Sequence, residues 1–376
     1  MELVAPKKNL LRLLQRCQGV ADKKSTMPVL ANVLLSGEGH LLTVAATDLY
    51  LSVRGSIEAD VKRAGAVAVP ARDMFERVKH MPDGPIEISV GNGAATSIKA
   101  VGSKRRYTLH GLPGSDFPTL PTPPDEAARI ELPVATLARL IKRTMFSISG
   151  DETRAHLNSA LFECQGDIVR MVTTDGHRLS KMHTTVPGLD AKTSMLVPLK
   201  AVQELRKLLE EVTDNRDSTS IVLAQHGPNA FFELGGVQFS VKLIDAQFPP
   251  YDAVIPAMTD RAVRTPRTPL EDALKAVSLA ASDRTGGVKL AVSTNALRIT
   301  SESPESGNGF DEVAVDYDGP EISVGFNARY LLDVLGAIDD EDVSLGLSGE
   351  LDPAVVRPAE APDGDDYIAV VMPMRI

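Results

Sequence analysis

Three stretches of the chain share one hydrophobic pattern. Val197–Val212 (VPLKAVQELRKLLEEV) sets Val202, Leu205, Leu209 and Val212 on one helical face. Val69–Met81 does the same with Met74, Val78 and Met81, and Gly325–Ile338 with Leu331, Val334, Leu335 and Ile338. Pro70 and Pro198 read as first-turn prolines and Asn327 as an N-cap. Pro70, Pro198 and Phe326 fall 128 residues apart. A period of that length is a small domain, not a solenoid unit. The pattern predicts a triplicated chain with domains at 1–124, 125–256 and 257–376.

A second helix opens each unit: Lys7–Gln18, Pro133–Phe146, and a third marked by Leu270, Leu274 and Val277. Between the helices run alternating, β-branched segments, among them Met27–Leu35, Leu41–Ile57, Leu157–Cys164, Ile168–Leu179 and Val288–Ser293. Thr47-Asp48-Leu49 and Thr174-Asp175-Gly176 lie 127 residues apart, a second register agreeing with the first. Phe117-Pro118 with Pro121–Pro124, and Phe248-Pro249 with Pro256, read as linkers, and the acidic runs Asp339–Asp342 and Asp363–Asp366 as turns. Many strands with two helices per unit predict an antiparallel α+β design, the helices packed on one sheet face.

Composition narrows the class. Hydrophobic content of 43% and charge of 24% describe a globular chain, and with aromatics at 4% its cores must rest on Leu, Val, Ile and Ala. Cys17 and Cys164 have neither metal nor redox spacing, and no apolar run suits a signal peptide or a membrane span, so a cytoplasmic location without membrane contact is expected. Net charge of −10 argues against a nucleic-acid partner if the charge is spread evenly. It is not. Lys8, Arg12 and Arg16 form one helical stripe; Arg72, Arg77 and Lys79, Arg139, Lys142 and Arg143, and Lys200, Arg206 and Lys207 fall on other helices, with Lys275 and Arg329 in the third unit. Such stripes are most often simply solvated, and pattern alone does not separate that reading from a phosphate-facing surface.

The most distinctive polar stretch is Val172–Leu179, VTTDGHRL. Asp175, His177 and Ser180 invite a hydrolase reading. Against it, no nucleophile elbow is present, and this spacing on a strand splits the side chains between two faces. No phosphate-binding glycine loop, zinc constellation or acidic metal pair occurs, so neither metal nor cofactor is expected. The chain end, VVMPMRI, sets two methionines about a proline, a composition that suits either sheet packing or an adaptable binding surface.

Across its whole length the chain resembles the bacterial replicative sliding clamp, the beta subunit of DNA polymerase III. The resemblance rests on Thr26–Leu30, Val69–Arg72, Leu157-Asn158, Thr174–Leu179, Phe248-Pro249 with Tyr251, Gly325–Asn327 with Tyr330, and Val370–Ile376. It implies three similar clamp domains, helices inside and sheets outside. Two copies would join head to tail in a ring around duplex DNA. Such a protein is not an enzyme; it tethers the replicative polymerase and other proteins for processivity. Short linear peptides of polymerase, clamp loader and repair proteins would bind one pocket between the second and third domains. Its matched lining is Leu157, Thr174, Gly176, His177, Arg178, Leu179, Pro249, Val254, Leu351, Val371, Met372, Pro373, Met374 and Arg375. The implied DNA contacts are Lys24, Arg154, Lys8, Arg12, Arg72, Arg139, Lys142 and Lys200, made without regard to base sequence. Tyr107 and Leu109 would meet Ala280 and Ala281 of a second copy.

The chain departs from a well-known member at Ala253 (there Arg), Pro353 (Ser), His156 (Tyr) and Lys24 (Arg), and at Gly150-Asp151, which replaces His-Gln. The competing expectations are a monomeric peptide-binding module and a hydrolase using Asp175 and His177.

Overall fold

Among the described residues each of the six α-helices is entered directly from a strand, and five of those strands end in proline: Pro6, Pro70, Pro133, Pro198 and Pro266. Proline lacks the N–H that a continuing ladder would need, and its fixed φ leads straight into the first helical turn. The sixth strand ends in Asn327, whose side chain accepts from the Arg329 N–H as an N-cap. Pro70 is therefore the cap residue rather than a first-turn residue, and its helix begins at Ala71.

The computed structural model describes residues 1–215, 218–282, 285–360 and 364–376, with only the backbone of residue 215. The first repeat runs β1 (Glu2–Pro6), α1 (Lys7–Cys17), β2 (Asn32–Glu38), β3 (Leu41–Thr47), β4 (Leu51–Glu58), β5 (Asp60–Arg63), β6 (Gly65–Pro70), α2 (Ala71–Lys79), β7 (Pro85–Val90), β8 (Ala95–Ala100), β9 (Arg106–His110) and β10 (Leu112–Pro113). The second runs β11 (Arg129–Pro133), α3 (Val134–Thr144), β12 (Ser159–Gly166), β13 (Ile168–Thr174), β14 (Arg178–Thr185), β15 (Ala191–Pro198), α4 (Leu199–Asn215), β16 (Ser220–His226), β17 (Asn229–Leu234) and β18 (Val237–Lys242). The third repeats that order as β19 (Arg261–Pro266), α5 (Arg267–Ser278), β20 (Gly287–Ser293), β21 (Ala296–Ser303), β22 (Gly307–Ala314), β23 (Ile322–Asn327), α6 (Ala328–Ala337), β24 (Asp342–Leu347), β25 (Ala354–Pro358) and β26 (Asp365–Val371). Three similar α+β domains result, as the period requires.

The chain forms two compact units, Met1–Val134 with Glu204–Leu243, and Ala135–Gln203 with Ile244–Ile376. Within the first, a nine-stranded sheet runs β10-β6-β2-β3-β4-β18-β17-β16-β11 and a five-stranded sheet β5-β1-β7-β8-β9. Its central seam pairs Leu51 with Val241 and Gly55 with Val237. Leu10, Leu13, Leu14 and Cys17 of α1 face its core, and α1 packs on α2. Within the second, an eight-stranded sheet runs β15-β12-β13-β14-β26-β25-β24-β19 and a four-stranded sheet β22-β21-β20-β23. Its seam pairs Arg178 with Val371 and Thr184 with Asp365. Helix α5 buries Leu270, Ala273, Leu274 and Val277 and packs on α6. All these pairings are antiparallel.

The repeat holds at the level of single bonds. The Thr47 hydroxyl donates to Leu51 O (2.8 Å) and the Thr174 hydroxyl to Arg178 O (2.7 Å). Asp48 accepts from the N–H groups of Tyr50 and Leu51, and Asp175 from those of His177 and Arg178. The Lys242 N–H donates to Tyr50 O at 2.8 Å, the Met372 N–H to His177 O at 2.9 Å.

Some local expectations change. Residues 28–31 form a 3-10 turn, so the strand expected from Met27 begins at Asn32. Asp365 and Asp366 open β26 rather than a turn, while Asp363 lies outside the described residues. Strands β1, β5 and β22 escape the periodicity because their sequences are short or polar. Among the described residues no helix is long and apolar enough to cross a membrane.

Candidate functional site

The VTTDGHRL stretch becomes a hairpin tip. Thr174 closes β13 opposite Leu179, and the chain turns through Asp175, Gly176 and His177. Gly176 takes φ 91°, a left-handed backbone that glycine adopts at little cost. The Asp175 carboxylate binds the His177 and Arg178 N–H groups at 2.9 and 3.0 Å and the Arg178 Nε at 3.0 Å, an Asx turn reinforced by charge. Arg178 does more than line the tip. Its guanidinium lies over the Phe146 ring at 5.4 Å and over the Tyr330 ring at 4.5 Å from the centroids. It donates to Asp333 Oδ2 and to the Phe146 carbonyl, each at 2.6 Å. With all these partners and 9% exposure, Arg178 fixes the tip. His177 stays accessible, its ring stacked on Tyr330 at 6.3 Å.

The chain end is brought to the same place. Val371 pairs with Arg178, and Met372 bonds to His177. The Met374 N–H donates to Gly325 O at 2.8 Å. Gly325 makes that approach possible, since a Cβ there would stand 2.5 Å from Met374 O. Met372 is 37% exposed, Pro373 and Met374 are half-buried, and Arg375 is exposed. Beside them Leu161, Val172, Leu179, Leu196, Val355, Ile368 and Val370 form an apolar cluster, partly covered by Ile244, Phe248, Tyr251 and Ile255. Pro249 and Val254 lie on that covering segment, Val254 exposed at 38%. Leu351 stands exposed in the turn before β25, and Leu157 is buried before β12.

The first repeat has no such surface. In the positions of Val172, Leu179 and Leu196 it carries Ala45, Ser52 and Ala68, and Val29 and Leu30 of its own 3-10 turn pack there with Phe117.

The basic residues divide into two groups. Arg12 and Arg16 share Glu211, at 3.3 and 2.8 Å. Arg139 pairs with Asp365, Lys142 with Asp339, and buried Arg143 with Asp340. Arg154 pairs with Asp151, whose carboxyl is held below its usual range by hydrogen bonds from Thr153 and then from Arg154. Lys8, Lys24 and Arg72 are exposed and have no ion pair among the described residues; Lys200 is exposed as well.

The residues expected at a subunit contact differ in their burial. Leu109 (4% exposed), Ala280 (7%) and Ala281 (6%) are buried within their own chain, because β9 and the end of α5 turn those side chains to the core. Tyr107 remains half-exposed, with the Arg77 guanidinium 6.0 Å from its ring centre. The apolar groups that face outward nearby are Leu279, 82% exposed, and Phe310, 65%. Phe310 lay in a stretch too polar to read as a strand, and Leu279 had no periodic partner. Tyr330 and Asp333 were also missed as supports of the tip, although their i, i+3 spacing on α6 was visible.

Asp175, His177 and Ser180 form no relay. The Asp175 carboxylate holds the His177 backbone rather than its ring, and Ser180, fully buried, bonds to Ser147 at 2.9 Å.

Three α+β repeats with strands paired across their boundaries, and an apolar site where one hairpin meets the chain end, define a clamp-type protein. Residues 1–121, 131–250 and 252–375 match the N-terminal, central and C-terminal domains of the DNA polymerase III beta subunit. The chain belongs to the DNA polymerase III beta subunit family, the beta sliding clamps. The beta sliding clamp of Pseudomonas aeruginosa is 36% identical over 380 residues, covering 100% of both chains. The crystal structure of the P. aeruginosa subunit superposes with a TM-score of 0.91 at 34% identity, again over 100% of both chains. A Bartonella birtlesii sliding clamp bound to griselimycin gives 0.92 at 32% identity, with 100% of each chain covered.

Proposed function

We propose that two copies of this chain close head to tail around duplex DNA and carry the replicative polymerase, clamp loader and repair proteins on the hairpin site. The reading makes it a cytoplasmic, non-catalytic processivity factor whose partners dock through short linear peptides. The observation that carries the dimer is a pairing rule. The third strand after the first helix of one repeat pairs with the third strand after the second helix of the next: β4 with β18, and likewise β14 with β26. By that rule β22 should pair with β9. Instead each is the open edge of its sheet among the described residues.

Open edges are association-prone, and these two are complementary. Around β9 stand Lys104, Arg105 and Arg106, and on β22 Asp311 and Glu312 beside exposed Phe310. Pairing β22 of one copy with β9 of the next, twice about a two-fold axis, satisfies both edges. DNA would be held by enclosure, so phosphate contacts from Lys8, Arg72, Lys24, Arg154, Arg12, Arg139, Lys142 and Lys200 need only be weak, with nonspecific Kd values of about 10⁻⁴–10⁻⁶ M.

Light scattering at micromolar concentration should return twice the chain mass. Phe310→Glu should return the single mass with the fold intact. A wild-type chain of single mass would leave a monomeric peptide-binding module. On DNA, protein loaded onto a nicked circle should stay bound and slide off once the circle is cut; equal loss from both forms would refute enclosure.

A further inference from the structure

The eight-stranded sheet carries the candidate peptide site into a second feature. Leu179 pairs with Val370, Val370 with Val355, and Val355 with Gly346, so one row of positions crosses four strands on one face. Leu179, Val370 and Val355 belong to the apolar cluster beside the hairpin tip. Val355 also lines a separate cavity of about 200 Å³, bounded by Pro256–Thr259, Ser344, Gly346 and Arg357. Val355 is therefore common to the apolar cluster and to the cavity.

Strand alternation puts the next residues of that face, two positions on, at Lys181 and Arg357, and Arg357 pairs in register with Ser344, itself opposite Arg264. Three basic side chains thus flank the apolar row. Two are already matched: Lys181 by Asp252 at 3.4 Å, and Arg264 by Asp342 and Glu360 at 2.8 and 3.5 Å. Arg357 is exposed and has no ion pair among the described residues.

We propose that Arg357 reads an acidic residue flanking the hydrophobic anchors of a partner peptide, the flank lying along the cavity at Val355. The proposal rests on the peptide-binding reading given above. Continuity of the row through Val355 supplies the path, and the uncompensated guanidinium supplies the charge preference. A rim charge of this kind adds selectivity more than affinity.

The test is fluorescence anisotropy on the full chain with three labelled peptides sharing one Leu/Phe anchor pair. One has uncharged flanks, one carries Glu-Glu before the anchors, and one carries Glu-Glu after them. Wild type should bind one acidic peptide about two- to fivefold more tightly than the neutral peptide, the size of an exposed ion pair. Arg357→Gln should bind the neutral peptide as wild type does and lose the acidic advantage, and Arg357→Glu should reverse it. If the neutral peptide does not bind wild type at all, the peptide site itself is wrong. If it binds but neither flank helps, or the advantage persists in Arg357→Gln, the site stands and the assignment of Arg357 fails.

Discussion

The Arg178 guanidinium lies 4.5 Å from the centre of the Tyr330 ring, which ties the hairpin tip to α6. The same arginine bonds to Asp175 and Asp333, so its removal would strand two carboxylates of which one is almost buried. Arg178→Ala should lower unfolding free energy by about 2–4 kcal/mol in urea titrations at neutral pH. Arg178→Lys should recover only part, since an ammonium cannot bridge Asp175, Asp333 and the Phe146 carbonyl with one planar fork. A loss under 0.5 kcal/mol for Arg178→Ala (about the scale of an ordinary surface change) would remove Arg178 from its place as the support of the tip.

Gly325 offers a way to move the chain end without shortening it. A side chain there must collide with Met374 O and with the Ile376 side chain, 2.5 and 2.7 Å from the new Cβ. Gly325→Val should expose residues 372–376 to carboxypeptidase and cut labelled-peptide binding. The unfolding midpoint should shift by only a few degrees, since a loss near 1 kcal/mol in a chain of this size does no more. Normal peptide binding by the variant would mean that the chain end does not form part of the site.

Ion pairing should grade the DNA contacts. Lys8→Ala and Arg72→Ala should each lower the salt slope of duplex binding by about 0.9, the value for one lost phosphate contact. Lys142→Ala and Arg139→Ala should change it less, because Asp339 and Asp365 already offset those charges. Titrations of a short duplex across salt concentrations give the slopes; equal effects from all four would show that the acidic partners let go on binding.

His183 predicts a pH dependence. Burial pushes its imidazole below the ordinary value of 6.5, opposed in part by the Asp366 carboxylate 3.5 Å from Nδ1. The unfolded chain thus takes up this proton more readily than the folded one. Its contribution to stability is complete above pH 6.5 and is lost as pH falls from there through the lowered value. Urea midpoints between pH 7.5 and about 5 should show a slope that His183→Gln flattens.

Much of this could be read from residues alone, for identifiable reasons. Helices α2, α4 and α6 announce themselves because each buries a single apolar stripe, and the 127-residue offset between Thr47 and Thr174 survives as matched hydrogen bonds. The stretch Ile168–Leu179, expected as one strand, breaks into a hairpin because the Asp175 carboxylate binds the His177 and Arg178 N–H groups. What stayed hidden depends on distant partners. Strand β22 (GNGFDEVA) alternates too weakly to be seen, yet it forms an open edge with Phe310 outward. The burial of Leu109 and Ala280 within their own chain follows from the facing of β9 and of the α5 terminus, which spacing alone does not give. The pairing of Arg12 and Arg16 with Glu211, some 195 residues on, has no signature in spacing.

Strand β14 finds its neighbour β26 far along the chain, Arg178 pairing with Val371. On the ribosome, β12 to β14 must wait with one side unzipped until β26 has emerged. During that interval Leu179 and its neighbours are open to other nascent chains. Premature termination before residue 365 should therefore yield aggregates in place of a soluble shorter product.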